Sequence, residues 1–256
     1  MAEGRVIQGE ALAVAGSLAP GSIDLVYLDP PFASGRTHAA PSRDGADGMR
    51  AFSDRWEDGL EGYLAWFVPV LAAVREILRP TGSLYVHLDW RACHYVKVEL
   101  DRLFGRECFL NHIVWLYGLG GSSPRYWPRK HDDILWYSRE PDGHWFRPAM
   151  IPATSARMRG QEKKAPDYWD IPALNNMARE RVGYPTQKPE ALLERIIASS
   201  CPPGGTVADL FAGSGTTAAV AARLGRRFVV SDASPQAIEA IMARLAGTSA
   251  KVTMPS

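Results

Sequence analysis

Cysteine is scarce in this chain: Cys93, Cys108 and Cys201 are the three thiols in 256 residues, and no two show C-x-x-C spacing. Such a set cannot build a disulfide framework, nor a zinc site unaided, and it suits a reducing compartment. No apolar run approaches the length of a membrane span, and the opening MAEGRVIQGE lacks the apolar segment of a secretory signal. A cytoplasmic protein without a membrane partner is therefore expected. An excess of charge of one sign is missing too: a formal net charge of +1 announces neither a nucleic acid nor a lipid surface. Repeats and low-complexity tracts are absent. What is present is core material, with 46% hydrophobic and 22% charged residues, enough for one α/β domain over 1–256 that carries an insertion.

The charge is unevenly spread. From Gly121 to Lys188 twelve Lys/Arg face eight Asp/Glu, so this segment is basic while the remainder is slightly acidic. The same segment holds Tyr126, Trp127, Trp136, Tyr137, Trp145, Phe146, Tyr168 and Trp169. Basic residues interleaved with aromatics suit a surface that tracks phosphates and stacks on bases. Composition fits equally an aromatic-rich insertion packed on the main domain.

Seven strands are expected: Arg5–Gln8, Ile23–Asp29, Ser83–Asp89, Leu110–Tyr117, Asp133–Ser138, Thr206–Phe211 and Arg227–Asp232. Apolar residues at three- and four-residue steps predict a helix over Tyr63–Leu78. Further helices are expected after Pro189, over Thr216–Leu224, and from Ser234-Pro235, where serine caps and proline starts. Alternating strands and helices indicate a doubly wound sheet. The Leu110–Tyr117 and Asp133–Ser138 pair lacks a helix between its members, which predicts an antiparallel ribbon at one edge. Ala33–Arg55 is polar and Gly-rich and reads as a mobile loop. Pro141–Gly183 reads as a small insertion.

Two motifs carry chemistry. In DLVYLDPPFASG a strand ends in Asp29, followed by Pro30, Pro31 and Phe32. Proline cannot donate to a sheet ladder, so the strand stops there. A carboxylate and a ring are left on a stiff elbow at the strand's carboxyl end, the edge where ligands bind in α/β folds. In TVADLFAGSGTTAAVAARLG a strand, a Gly-x-Gly turn and a helix follow one another. A phosphate-binding fingerprint would need a third glycine where Ala218 stands, so a nucleoside without a pyrophosphate is favoured over a nicotinamide dinucleotide. The next strand ends in Asp232, placed to accept from ribose hydroxyls.

Asp29-Pro30-Pro31-Phe32, GYPTQKPEALLERII (183–197) and Phe211-Ala212-Gly213-Ser214-Gly215, in that order, resemble the β group of exocyclic-amino DNA methyltransferases. The resemblance implies a Rossmann-like methyltransferase fold of class α/β. Its seven-stranded, mostly parallel sheet would run in the order 3-2-1-4-5-7-6, with helices on both faces and the catalytic motif before the cofactor motif. It implies S-adenosylmethionine as cofactor and double-stranded DNA as partner. It makes Pro141–Gly183 a small target-recognition region, and leaves room for a homodimer and for a restriction endonuclease partner. Phe32 stands where the family more often has Tyr, and Glu10 where it often has Asp.

By the same resemblance, Asp29, Pro30, Pro31 and Phe32 act on the target amine. Serine commonly replaces the acid in the cytosine enzymes, so Asp29 favours N6 of adenine over N4 of cytosine. Phe211, Gly213, Ser214, Gly215, Thr216 and Thr217 would pack on the cofactor, with Asp209 at its amino group, Asp232 at its ribose, and Glu10 and Ala11 at its adenine. Thr186 and Lys188 would hold its carboxylate. Arg157, Arg159, Lys163 and Lys164, the densest basic cluster, are expected on the DNA, overhanging the Asp29 edge. His87 and Asp89 are read as structural. No metal is expected: in His131-Asp132-Asp133, adjacent positions cannot all face one ion, and a strand start explains them. A nicotinamide oxidoreductase, opposed by the missing third glycine and the unexplained Asp-Pro-Pro-Phe, and a non-catalytic DNA-binding subunit, opposed by both motifs being intact, are the rival classes.

Overall fold

Every residue of β2 (Ile23–Leu28) is buried, the mark of a strand covered on both faces. Val26 and Leu28 enter one core and Leu25 and Tyr27 the other, because successive side chains on a strand point to opposite faces. The structure is a computed structural model. It describes the chain except residues 1, 33–36, 40–49, 54–55, 57, 119–121, 176–177, 179, 185 and 255–256, with backbone alone for 37–39 and 50–53.

The chain begins with β1 (Glu3–Gln8) and α1 (Ala11–Ser17), then β2. A short antiparallel pair follows, β3 (Thr37–Ala39) and β4 (Arg50–Ser53), within the segment read as a mobile loop; the rest of that segment lies outside the described residues. Next come α2 (Gly59–Ile77), β5 (Leu78–Leu88), α3 (Cys93–Phe104), β6 (Phe109–Leu116) and β7 (His131–Ser138). The insertion supplies β8 (Met150–Pro152), β9 (Glu162–Lys164) and β10 (Tyr168–Asp170). The last part alternates regularly: α4 (Glu190–Ser200), β11 (Thr206–Asp209), α5 (Thr216–Arg223), β12 (Arg227–Asp232), α6 (Pro235–Leu245) and β13 (Lys251–Thr253).

One sheet runs β10-β6-β7-β5-β2-β11-β12-β1-β13. Counted from β11, its seven long strands stand in the order 3-2-1-4-5-7-6, as the resemblance implies. The expected count is corrected from seven to nine by two three-residue strands at the margins. Strand β7 is antiparallel to both neighbours, and every other pairing in this sheet is parallel. The β6–β7 ribbon is expected at an edge, but β10 pairs with β6 and covers it. The insertion folds back far enough for Trp169 to bury its ring and bond its indole N–H to the Pro166 carbonyl.

Helices α1, α2 and α3 cover one face of the sheet and α4, α5 and α6 the other. The second face holds Leu192, Leu193, Ile196 and Ile197 of α4 against Leu25, Tyr27 and Val207. Ser234 caps α6 as expected, accepting from the Ala237 amide at 3.4 Å. No helix among the described residues is long and apolar enough to cross a membrane.

Candidate active site

The carboxyl ends of β2, β5, β11 and β12 converge on one cavity of about 570 Å³. Asp29, Pro30, Pro31 and Phe32 line it, directly after β2. So do Glu10, Ala11, Thr186, Lys188, Asp209, Phe211, Gly213, Ser214, Thr216, Thr217 and Asp232. Two sites that are remote in the sequence are thus one cavity, because β2 and β11 are hydrogen-bonded neighbours in the sheet. Gly215 does not line it; its contribution is conformational. It sits at φ 75° as the residue before α5, and a Cβ there would lie 3.0 Å from Ile241. Gly213 has φ 48°, and a Cβ there would meet Tyr184 at 3.2 Å. Both positions need the left-handed freedom that glycine alone has without cost.

Asp29 is held on one side only. Its Oδ2 accepts from Lys188 Nζ at 2.5 Å, while Oδ1 is buried with no hydrogen-bond partner among the described residues. Lys188 also lies 5.3 Å from the centre of the Phe32 ring. The lysine expected at the cofactor's carboxylate is therefore seated on the acid of the other motif. Its main chain reaches the Gly-x-Gly half as well, because the Thr216 hydroxyl donates to the Lys188 carbonyl at 3.1 Å. Thr186 is exposed with φ 59°, a strained setting for a β-branched residue. Gln187 braces this turn: its carbonyl accepts from the Val182 amide and its amide donates to the Glu180 carbonyl.

The acids of the Gly-x-Gly half are buried. Asp232 accepts from the Gly213 and Ser234 amides, both at 2.9 Å, so it fixes the turn to the start of α6. Burial raises its carboxyl above the ordinary value against those two bonds. Asp209 accepts from the Thr217 hydroxyl at 2.5 Å and the Phe211 amide at 3.0 Å. Burial still pushes it up to about 7, and the like charges of Asp29 and Asp232 add to the shift.

Several lining residues escaped the sequence reading. Trp56, Trp66 and Phe211 form an aromatic wall, with ring centres 4.8 Å apart for the tryptophans and 5.7 Å between Trp66 and Phe211. The crowding of Trp56, Tyr63, Trp66 and Phe67 in twelve residues was the available signal. His87, read as structural, is fully buried beneath Phe32, their ring centres 5.9 Å apart. It joins the Tyr27 hydroxyl at 2.8 Å to Asp132 at 3.2 Å, and Asp132 lines the cavity. Burial works against the Asp132 charge, yet the His87 hydrogen bond and charge keep its carboxyl below the ordinary value. Asp89 lines the cavity with Arg91, to which it is bonded.

Asp132 and Asp133 face opposite sides of β7, as a strand start requires. Asp133 bonds His112 at 2.6 Å and stands near Cys93, the three donor atoms lying within 4.8 Å of one another. That group lies outside the cavity lining. The basic cluster is not brought to the cavity either. Arg157, Arg159, Lys163 and Lys164 belong to the β8–β9 hairpin region, and Lys164 lines a second cavity of about 400 Å³ with Tyr85, Trp136 and Ser199. Leu193 of α4 lines the first cavity and Arg195 and Ser199 of the same helix the second, so α4 stands between the two. None of the four basic residues lines the cavity that holds Asp29.

A family profile described as DNA methylase matches residues 23–243. The DNA adenine methyltransferase YhdJ of Escherichia coli is 28% identical, over 94% of this chain and 82% of its own length. Among solved structures, the cytosine-N4-specific PvuII DNA methyltransferase aligns with a TM-score of 0.69 at 20% identity, covering 95% of this chain and 86% of that one. A putative DNA modification methylase from Thermus thermophilus, complexed with S-adenosyl-L-methionine, gives 0.63 at 23% identity and covers 98% of each chain. The likeness to both structures is one of fold, and it accounts for the strand order and for the meeting of the two motifs. With the profile spanning most of the chain and both motifs of the site, the chain belongs to the N6/N4 DNA methylase family.

Proposed function

We propose that the protein transfers a methyl group from S-adenosylmethionine to the N6 amine of an adenine turned out of duplex DNA. One observation carries the reading: among the described residues, Asp29 Oδ1 is a buried acceptor without a partner, beside an aromatic ring, at the wall of a cavity large enough for a nucleoside. Buried acceptors are costly unless something donates to them, and an exocyclic amine is such a donor. The adenine amine is a weak nucleophile because its lone pair is delocalised into the ring. Acceptance of its two N–H bonds by the Asp29 carboxylate and the Pro30 carbonyl draws the nitrogen toward tetrahedral geometry. Phe32 stacks on the base, which must leave the duplex for the amine to be reached. Lys188 keeps the Asp29 carboxylate oriented, and the Tyr27–His87–Asp132 chain supports the Phe32 ring from below.

The residues on the far side of the cavity fit the cofactor. Asp209 is a buried acid whose charged neighbours are both anionic, which suits the amino group of the methionine. Asp232 retains acceptor capacity for ribose hydroxyls, and Phe211 with Trp66 offers rings to the sulfonium and adenine. Bound there, S-adenosylmethionine supplies a methyl group activated on sulfur. The protein contributes alignment, worth several kcal/mol when two reactants are held together. Thr186 and Lys188 border this region, while the stretch from Ile171 follows the active edge, its amide bonded to Leu116 and that of Ala173 to Tyr117. That later half of Pro141–Gly183 is the part suited to reading the target.

Adenine is preferred to cytosine because Asp29 is an acid and because the YhdJ relative is an adenine enzyme. The test is nucleoside analysis of unmethylated DNA after incubation with S-adenosylmethionine and wild type or Asp29→Ala. N6-methyladenine from wild type and none from the variant, with cofactor affinity kept within several-fold, is expected. N4-methylcytosine would transfer the reading to cytosine, and a fully active variant would overturn it.

A further inference from the structure

The β6–β7 connection holds the least buried aromatic ring of the described structure. Trp127 is 92% exposed, with Tyr126 beside it at 57% and Trp90, after β5, at 45%. These rings are not scattered. The Arg129 guanidinium lies 4.1 Å from the centre of Trp90 and 4.7 Å from that of Tyr126, and Arg91 lies 5.0 Å from Trp90. Cations over aromatic faces are attracted by the ring quadrupole, so the patch is a built unit.

It stands at the mouth of the cavity that contains Asp29. Trp90 lies between Asp89 and Arg91, both of which line that cavity. Tyr117 and Asp132, which line it too, flank the connection, and the Tyr117 amide donates to the Lys130 carbonyl at 3.1 Å to close its base. Between Gly118 and His131 the sequence has Arg125, Arg129 and Lys130 and not one acid. Pro124 and Pro128 bracket Arg-Tyr-Trp and fix two backbone angles around it. A stiff, wholly basic, aromatic edge is complementary to a polyanion with stackable bases. A phosphate backbone supplies counter-charge for Arg125 and Arg129, and nucleobases supply faces on which Trp127 can stack.

We infer that this connection is the duplex-docking edge: Arg125 and Arg129 contact backbone phosphates, and Trp127 stacks in the gap left when the target base swings toward Phe32. The inference rests on the DNA-methylation reading and deepens it by naming the contacts that hold the duplex. It also moves the phosphate-binding surface away from Arg157, Arg159, Lys163 and Lys164, none of which lines that cavity.

Four variants test it: Arg125→Ala/Arg129→Ala, Trp127→Ala, Trp127→Phe, and the quadruple Ala variant of the β8–β9 cluster. Binding of unmethylated duplex DNA is measured by filter retention at several salt concentrations. Each phosphate contact contributes about 0.9 to the slope of log affinity against log salt. Loss of about two from the slope in the double variant, with little change in the quadruple one, is expected. An unchanged slope in the double variant overturns the phosphate assignment, whatever the quadruple variant does. For Trp127, methyl incorporation into duplex is compared with that into heat-denatured DNA. Trp127→Ala should lower the duplex-to-single-strand ratio about tenfold or more, and Trp127→Phe should recover most of it. An equal fall on both forms, or none, overturns the stacking role. Thermal shift by S-adenosylhomocysteine checks that each variant is folded. A wild type that binds duplex with the expected slope yet methylates neither form would defeat the methylation reading while leaving the phosphate assignment standing.

Discussion

Asp209 holds a carboxyl in full burial, and the charges that reach it through the protein are those of Asp29 and Asp232, both of like sign. Folding raises its pKa from the ordinary 3.8 to about 7, so the folded state binds this proton more tightly than the unfolded chain. Its contribution to stability is complete below 3.8 and is lost as pH rises through 7. A cationic amino group placed beside it favours the ionised form, so cofactor binding should release a proton near neutrality. Affinity for S-adenosylmethionine, measured by calorimetry, is expected to weaken as pH falls from 8 to 6, and Asp209→Asn should flatten that dependence. Equal slopes in the two proteins would remove Asp209 from the amino-group site. Lys188 calls for a different measurement. Its partner Asp29 is 159 positions away in the chain, which no local pattern reveals, whereas the Asp-Pro-Pro-Phe elbow was readable because proline stops a strand. The pair is largely shielded, its side chains 11% and 16% exposed, and removing one member leaves the other charge uncompensated. Lys188→Met should therefore lower turnover far more than cofactor affinity, and Lys188→Arg should restore part of it. The reverse pattern, affinity lost and turnover kept, would return Lys188 to the cofactor's carboxylate.

At the scale of elements, the strand–turn–helix of β11 and α5 concentrates its constraint in one glycine. Gly215→Ala combines a left-handed backbone with a Cβ 3.0 Å from Ile241, whereas Gly225→Ala, at φ 68°, meets open space. The second change costs about 1–2 kcal/mol for the backbone alone, and in a chain of this size 1 kcal/mol is worth about 2–4 °C of melting temperature. A larger fall for Gly215→Ala, together with weakened cofactor binding, is expected from thermal melts with and without S-adenosylhomocysteine. Equal falls would mean that Ile241 yields. This element was legible because its turn glycines and alanine-rich helix are local signals. Helix α3 was equally legible and was missed, since Cys93, Val96, Leu100 and Phe104 recur at helical steps and are all buried. Helix α1 offers just seven residues and three buried ones, too short a run for periodicity to speak. The β8, β9 and β10 strands have three residues each, and their pairing depends on tertiary partners that sequence does not display.

Across the whole molecule, the basic segment Gly121–Lys188 divides in space. Its first part edges the cavity mouth, its middle descends along α4 to the second cavity, and its last part returns through Tyr184 and Lys188 to the active edge. Net charge averaged over the segment could not show that division, since it depends on where the hairpin folds. The two outermost strands of the sheet have a further consequence. Strands β10 and β13 are three residues long, and their ends carry Asp170 and Lys251, both exposed. Strand β10 pairs with Val114–Leu116 of β6 and β13 with Glu3–Arg5 of β1, so each margin offers another chain a short outer strand whose charged side chains oppose the approach. Self-association by extension of the sheet is thereby disfavoured. Concentrated protein should resist edge-to-edge fibre formation, and loss of either marginal strand should expose long neighbours and make the protein prone to it.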